Sequence, residues 1–243
     1  VTKLPKAILF DLDETILSFG ERTSQLTEVG EEFAAELSPF SPLEVAVAME
    51  IAFEEFWSDP DRHREWRYRL KESRVGLISL VFANHRNRAP GLTPELAILF
   101  AEAFHERRES SVCLFPRALE TIDELRRRGA RLALVTNGHT IGQRRKIENF
   151  NLTHRFEHIQ VESEVGFGKP EPRAYLHAVA ALGVNPEESW MVGDNLEWEV
   201  AAPQRLGIHA IWHNPRGKQI PANSPVVPDR TIRCLSELLL HAR

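Results

Sequence analysis

A chain of 243 residues with 30 Lys and Arg against 35 Asp and Glu carries a formal charge of −5, too close to neutral for a basic nucleic-acid surface or an acidic tail. Its 42% hydrophobic and 27% charged residues exclude disordered, collagenous and low-complexity classes, and its length suits one large domain or a core carrying an insertion. The longest nearly apolar stretch, residues 77–83, is far short of the ~20 residues that span a bilayer, and residues 1–5 leave no room for a signal sequence ahead of the first strand, so a cytoplasmic location with no membrane segment is expected. Cys113 and Cys234 match neither a disulfide framework nor a zinc pattern and are expected to be buried and inert.

Residues 6–10 read KAILF, an apolar run ending at Asp11, as in a buried strand whose carboxyl end carries polar chemistry. From about residue 23 to 110 the spacing becomes helical. Leu26, Val29, Phe33 and Leu37 share one face of an amphipathic helix. Ser41-Pro42-Leu43-Glu44 supplies an N-cap, a proline at the first helical position and a glutamate at N3, so a second helix is expected to about residue 57. Asp59-Pro60 opens a third segment to about residue 88, and Thr93-Pro94-Glu95 a fourth to about residue 108. After residue 111 helices and strands alternate. Helices are expected over 116–128, 140–150, 172–182 and 196–206, the last broken by Pro203, and strands over 131–135, 158–161, 190–192 and 208–212. Residues 214–228 read as a surface loop before a short final helix. The fold expected is α/β, a doubly wound, mostly parallel, Rossmann-like sheet interrupted after its first strand by an all-helical insertion: core over 1–19, helical domain over 20–111, core again over 112–243.

Four polar features follow four of these strands, which places them together in the crevice outside the strands' carboxyl ends. They are Asp11-Leu12-Asp13-Glu14-Thr15, Thr136-Asn137-Gly138, Lys169-Pro170 and Gly193-Asp194. Each alone is ambiguous, since a strand-end aspartate often caps a helix and a loop lysine is often solvated; their common location is the argument. Hydrolysis of a phosphate monoester needs a nucleophile, a proton donor for the leaving alkoxide and positive charge around the phosphoryl oxygens, and this set contains a candidate for each.

In order and context, DLDET, VTNG, GKP and GDNLEWE resemble the four motifs of the haloacid dehalogenase superfamily of phosphohydrolases across the whole core, and the helical insertion resembles that family's cap domain placed after the first motif. Among branches the chain looks most like the nucleoside 5′-monophosphatases and N-acylneuraminate-9-phosphatase. The resemblance implies Mg²⁺-dependent hydrolysis of a small phosphate monoester, a nucleotide or sugar phosphate, through an aspartyl-phosphate. Asp11 would be the nucleophile and Asp13 the general acid and then the base for water, two carboxylates divided by environment. Thr136 and Lys169 would hold the phosphoryl oxygens with backbone N–H groups near Leu12, Asp13, Asn137 and Gly138. Mg²⁺ would take the Asp11 and Asp194 side chains, the Asp13 carbonyl and waters.

Glu199 departs from the pattern, standing five residues after Asp194 where the family commonly has a second aspartate. Two readings stay open: a water-mediated metal role, with Pro203 re-aiming the side chain, or, with Glu197, an acidic helix start that complements the dipole. Asp13 argues against halide displacement, because dehalogenases of the family pattern lack a carboxylate there. Phosphomutase and a non-catalytic phosphometabolite-binding protein remain as alternatives. In the helical segment Trp57, Arg62, His63, Arg64, Trp66, Arg67 and Arg69 form an aromatic and basic cluster that either meets an anionic substrate or packs within the bundle. Ser18, Phe19 and His139 flank the motifs and either meet substrate or serve the local structure. The basic runs 126–128 and 144–146 read as solvated helix faces. The expected partner is a small phosphorylated substrate, with no nucleic acid and no membrane, on a monomer or weak homodimer.

Overall fold

The computed structural model describes residues 4–221 and 224–240. The reading of residues 1–5 falls in part on 1–3, and that of the 214–228 loop in part on 222 and 223, outside the described residues. The chain divides into two compact units: one runs from Phe19 to Val112, and the other takes the residues up to Ser18 and from Cys113 onward.

The second of these is built on a six-stranded sheet of β1 (Ala7–Phe10), β4 (Arg131–Thr136), β5 (His158–Val161), β6 (Ser189–Gly193), β7 (His209–His213) and β8 (Arg230–Ile232), in the order β5-β4-β1-β6-β7-β8 with every pair parallel. β1 is central and buried along its whole length, as its unbroken apolar run requires of a strand covered on both faces. Alternate residues Ala7, Leu9, Ala133, Val135 and Met191 form one core layer with Ala174, Tyr175, Ala178 and Val179 of the helix α10 (Pro172–Ala181). Helices α7 (Ala118–Arg127), α8 (Thr140–Asn149) and the short α9 (Glu162–Val165) complete the crossovers. In the ladder, Phe10 pairs with Leu134 on one side and Val192 on the other. The next residues on these strands therefore emerge together. A separate antiparallel ribbon joins β2 (Leu17–Ser18) to β3 (Cys113–Leu114) where the chain leaves this unit and returns. Cys113 is exposed and Cys234 partly so, correcting the expectation that both are buried: β3 belongs to this ribbon rather than to the covered sheet, and Cys234 stands at the start of a surface turn.

The helical unit holds α1 (Arg22–Glu32), α2 (Ala34–Leu37), α3 (Pro42–Ser58), α4 (Pro60–Trp66), α5 (Leu70–His85) and α6 (Pro94–Ser110) around Leu26, Val29, Met49, Phe53, Phe82, Phe100 and Phe104. The expected N-caps are present: Ser41 and Glu44 form a reciprocal capping box, the Asp59 carboxylate accepts from the Asp61 and Arg62 N–H groups at 2.9 and 3.1 Å, and Thr93 accepts from Leu96 N–H at 3.1 Å. Two expected continuous helices are broken. Phe33 leaves helical geometry (φ −115°, ψ 22°) between α1 and α2, and Arg69 (φ −125°, ψ 46°) separates α4 from α5. In both, apolar periodicity continues past the break because the same core lies on either side, so periodicity alone could not reveal it.

Candidate active site

The first motif leaves β1 with the Asp11 N–H still on the ladder, donating to Val192 O at 3.0 Å. Glu14 takes a left-handed conformation (φ 57°) and the Leu12 carbonyl accepts from both Ile16 and Leu17 N–H at 2.9 Å, so the chain reverses at once and the buried Leu12 anchors the loop. Both aspartates are thereby held on one short loop. The Thr15 hydroxyl donates to Asp11 Oδ2 at 3.4 Å.

Lys169 is fixed through its backbone as well as its ammonium. The Asn137 amide donates to Lys169 O at 2.7 Å and accepts from Lys169 N–H at 2.9 Å, a two-point grip from the second motif on the third. A Cβ on Gly168 would lie 2.5 Å from Glu162 Cδ and 2.7 Å from Asn137 Oδ1, so this approach requires glycine. The Glu162 carboxylate also accepts from Gly138 N–H at 3.0 Å. That corrects the expectation of the Gly138 N–H as a phosphate donor: a carboxylate that the sequence reading passed over already takes it.

Lys169 Nζ lies 2.5 Å from Asp11 Oδ1 and 2.7 Å from Glu199 Oε1, with Lys169 and Glu199 each only 1% exposed. Burial alone would lower the lysine, but the two carboxylates outweigh it and hold it above its ordinary value. Burial pushes Glu199 up to about 7 against the pull of Lys169, and raises Asp11 in the same way. Glu199 thus reaches Lys169 directly, a partner neither sequence reading supplied, while its other oxygen accepts from Asn195 N–H at 2.9 Å and so also serves the helix start. Glu197, its neighbour in the sequence argument, instead pairs with Arg205 at 2.5 Å on the exposed side.

The local winding explains the reach of Glu199. Leu196–Ala201 form a π-helical turn, followed by one α turn, α11 (Ala202–Gln204). Pro203 has no N–H to return to the Trp198 carbonyl; the buried Tyr175 hydroxyl donates to it instead, at 2.5 Å. The expected break is therefore a change of pitch. Gly193 makes room below it, since a Cβ there would fall 1.9 Å from Glu199 Cγ.

Asp13 has a different set of partners. Lys146 Nζ lies 2.6 and 2.7 Å from its two oxygens, and Gln143 Nε2 donates to Oδ2 at 3.0 Å and to Thr136 Oγ1 at 2.5 Å. This corrects the reading of 144–146 as a solvated face. Arg144 pairs with Glu164 at 2.5 Å, but Lys146, 15% exposed, turns to the site. The missed signal was Gln143 and Lys146 three residues apart with Ile147 adjacent: Gln143 and Ile147 are both buried, so a polar pair lies on the inward side of α8. His139 is the N-cap of α8, its Nδ1 accepting from Ile141 N–H at 3.4 Å. In the helical unit the aromatic cluster packs on itself, Trp57 against His63 and Phe56 against Trp66, with the Arg69 guanidinium over Trp66.

Asp194 follows β6, its carbonyl accepting from Trp212 Nε1 at 2.8 Å. Burial, then the nearby Glu199, Asp11 and Glu14 carboxylates, hold its carboxyl well above the usual range. Asp194 and Glu14 line a recess of about 20 Å³, room for one ion or water. Among the described residues no three His, Cys, Asp or Glu side chains are grouped as a metal cage. A hard ion that takes one or two carboxylates, a carbonyl and waters needs no such cage, and the Asp194 carboxylate with the Glu199, Asp11 and Glu14 carboxylates near it is the donor chemistry it favours. The Asp11 and Asp194 carboxylates with the Asp13 carbonyl fit Mg²⁺ on that ground.

A family model for haloacid dehalogenase-like hydrolases matches residues 5–207. A phosphoserine phosphatase of Thermus thermophilus is 37% identical over 76% of this chain and 66% of its own length, so the chain spans just under two thirds of that relative. A glyceraldehyde 3-phosphate phosphatase of Methanopyrus kandleri is 29% identical over 96% of this chain and 95% of its own. The crystal structure of the putative hydrolase YfnB from Bacillus subtilis, bound to magnesium, superposes with a TM-score of 0.72 at 23% identity over 98% of both chains, which supports the fold.

Proposed function

The chain belongs to the haloacid dehalogenase-like hydrolase family, and from that premise we propose that it is a Mg²⁺-dependent phosphatase acting on a small phosphate monoester through an aspartyl-phosphate. The observation that carries the reading is the pair Asp11 and Asp13 on one loop, each held by its own lysine and both next to the strand end that bears Asp194.

In this reading the Asp11 carboxylate attacks phosphorus as the ester P–O bond breaks, and Asp13 gives a proton to the departing oxygen. Water then attacks the phosphoryl group on Asp11, Asp13 takes its proton, and the Asp11–phosphorus bond breaks to release phosphate and restore the carboxylate. Lys169 and the Thr136 hydroxyl hold the phosphoryl oxygens, and Glu199, 2.7 Å from the ammonium, keeps Lys169 in place. Mg²⁺ would be held by the Asp11 and Asp194 carboxylates and the Asp13 carbonyl, and would supply positive charge to offset that of the phosphoryl group. The buried lysine stays charged beside Asp11, and the metal's charge would offset the surplus of carboxylates that would otherwise repel a phosphate. Asp13 separates this chemistry from halide displacement, which releases a leaving group that needs no proton. The helical unit, as the cap, is the part of the chain left to choose among substrates that share the phosphoryl group.

The relatives' names make phosphoserine and glyceraldehyde 3-phosphate the first substrates to try, with nucleotides and sugar phosphates beside them. The test is phosphate release with and without Mg²⁺, and the same assay on Asp11→Asn. Turnover that requires the metal and falls by at least about 10³-fold in the variant is expected. Undiminished turnover in Asp11→Asn removes the aspartyl-phosphate; transfer of phosphate to a second hydroxyl, with none released, makes the chain a mutase; and no turnover of any ester leaves a binding protein on the same scaffold.

A further inference from the structure

We infer that Gln143 and Lys146 are positioning residues of the reaction, a two-pronged brace on α8 that keeps the proton-donating Asp13 in register with the phosphoryl-holding Thr136. The inference rests on the function proposed above.

Asp13 comes from the loop after β1 and Thr136 from the end of β4. Adjacent strands fix the backbones of such residues but not the directions of their side chains. The 5%-exposed Gln143 joins the two. One amide nitrogen has two hydrogens, and here one goes to Asp13 Oδ2 at 3.0 Å and the other to Thr136 Oγ1 at 2.5 Å. A hydroxyl that accepts from an amide keeps its own hydrogen for donation. Among the described residues the acceptor recorded for it, Asn137 O at 3.4 Å, is distant, so that hydrogen is available to a phosphoryl oxygen.

Lys146 supplies the second prong. Its ammonium reaches both Asp13 oxygens, at 2.6 and 2.7 Å, so when one oxygen turns to the ester the other is still held. The pair is 15% and 35% exposed, which permits that exchange; the Lys169 pair, sealed from water, does not. Residues three apart on a helix share a face, so α8 presents both prongs at once. Neither residue has to touch substrate for the brace to work.

A brace on the proton donor has a kinetic signature that a merely structural residue lacks. Alkyl esters leave as strongly basic alkoxides and need the proton; 4-nitrophenyl phosphate leaves as a weak base and needs it little. On the full chain with Mg²⁺, Lys146→Met is expected to lower kcat/KM, which reads only the transfer to Asp11 where the leaving groups differ, about 30-fold or more on an alkyl ester such as phosphoserine and about threefold or less on 4-nitrophenyl phosphate. Lys146→Arg, which retains a donor to both oxygens, is expected to recover most of the alkyl-ester rate. Gln143→Leu is expected to lower kcat/KM on both esters, because it also releases Thr136, and more on the alkyl one. Equal losses on the two esters in Lys146→Met, or no loss on either, overturn the brace while leaving the phosphatase reading intact if Asp11→Asn is inactive. If Lys146→Met does not fold, the comparison is made with Lys146→Gln, and a uniform effect there overturns the inference in the same way. A wild-type chain that hydrolyses neither of these esters nor any of the other phosphate monoesters named above overturns both proposals.

Discussion

Two lysine–aspartate pairs stand two residues apart along the first motif, and water separates their properties. Lys169 and Asp11 are 1% and 10% exposed, and a second buried carboxylate, Glu199, completes the cluster; Lys146 and Asp13 are 15% and 35% exposed, with a neutral amide as third member. The buried cluster is a fixed part of the fold, because removing any charge strands the others in a dry medium. The other stands at the water's edge, so removing one partner costs little stability even though it frees the Asp13 carboxylate to turn. The same contact thus serves as architecture in one place and as a movable part in the other.

The largest test of this contrast is Lys169→Met. It leaves Asp11 and Glu199 buried without a cation and is expected to cost about 3–5 kcal/mol in urea unfolding. A cost equal to that of Lys146→Met would erase the distinction.

The next test is pH. Burial holds Glu199 up to about 7 from an ordinary 4.5, so the folded chain keeps this proton longer than the unfolded one. Wild type is therefore expected to lose stability relative to Glu199→Gln as pH rises from about 4.5 to about 7, by up to about 3 kcal/mol, and to show no further drift above it. A difference curve that stays level across that window would mean that the carboxyl ionises as in solvent.

Gly193→Ala sharpens the same half of the comparison. The new methyl meets Glu199 1.9 Å from its Cγ and forces it off Lys169, at an expected cost of about 1–3 kcal/mol that adding Glu199→Ala, which removes Cγ, should partly relieve in thermal unfolding. The smallest effect belongs to the open pair: Lys146→Met is expected to change stability by less than about 1 kcal/mol, whatever it does to turnover.

Much of this was legible in the amino-acid sequence for a physical reason. A parallel strand covered on both faces has no choice but to be apolar, so KAILF ending in Asp11 announces both the strand and its reactive end, and the same holds for Thr136 and Asp194. Caps at Ser41, Asp59 and Thr93 are local and were readable for that reason. Lys146 was not, because a run of three cations on a helix points in three directions and only the fold decides which one is inward. Glu199 was visible as a departure, but its partner lies thirty residues away on another loop, beyond any local pattern. Glu162 gave no signal: a glutamate opening a short helix looks like a dipole partner, and only the close approach of Gly168 shows that it closes the loop over Gly138. β8, three residues after a long loop, is too short for an alternation to show.

The neck between the two units is closed twice. On the core side the β2–β3 ribbon holds Leu17 against Leu114, and within the helical unit Phe19 O accepts from Gln25 Nε2 at 2.7 Å, Arg108 Nη1 at 3.0 Å and Ser111 Oγ at 3.1 Å, tying that unit's first residue to its last helix. Bringing together the ends of a slack loop of roughly ninety residues costs about 3 kcal/mol more than closing a four-residue turn. A helical unit that ties its own ends removes that cost before the ribbon forms. To the sheet, the insertion then counts as a short connection, which lowers the loop-closure entropy of pairing β1 with β4 across more than a hundred positions. The same closure makes residues 19–112 an exchangeable cassette: any folded segment whose ends lie side by side would fit the ribbon without altering the strands that carry the chemistry.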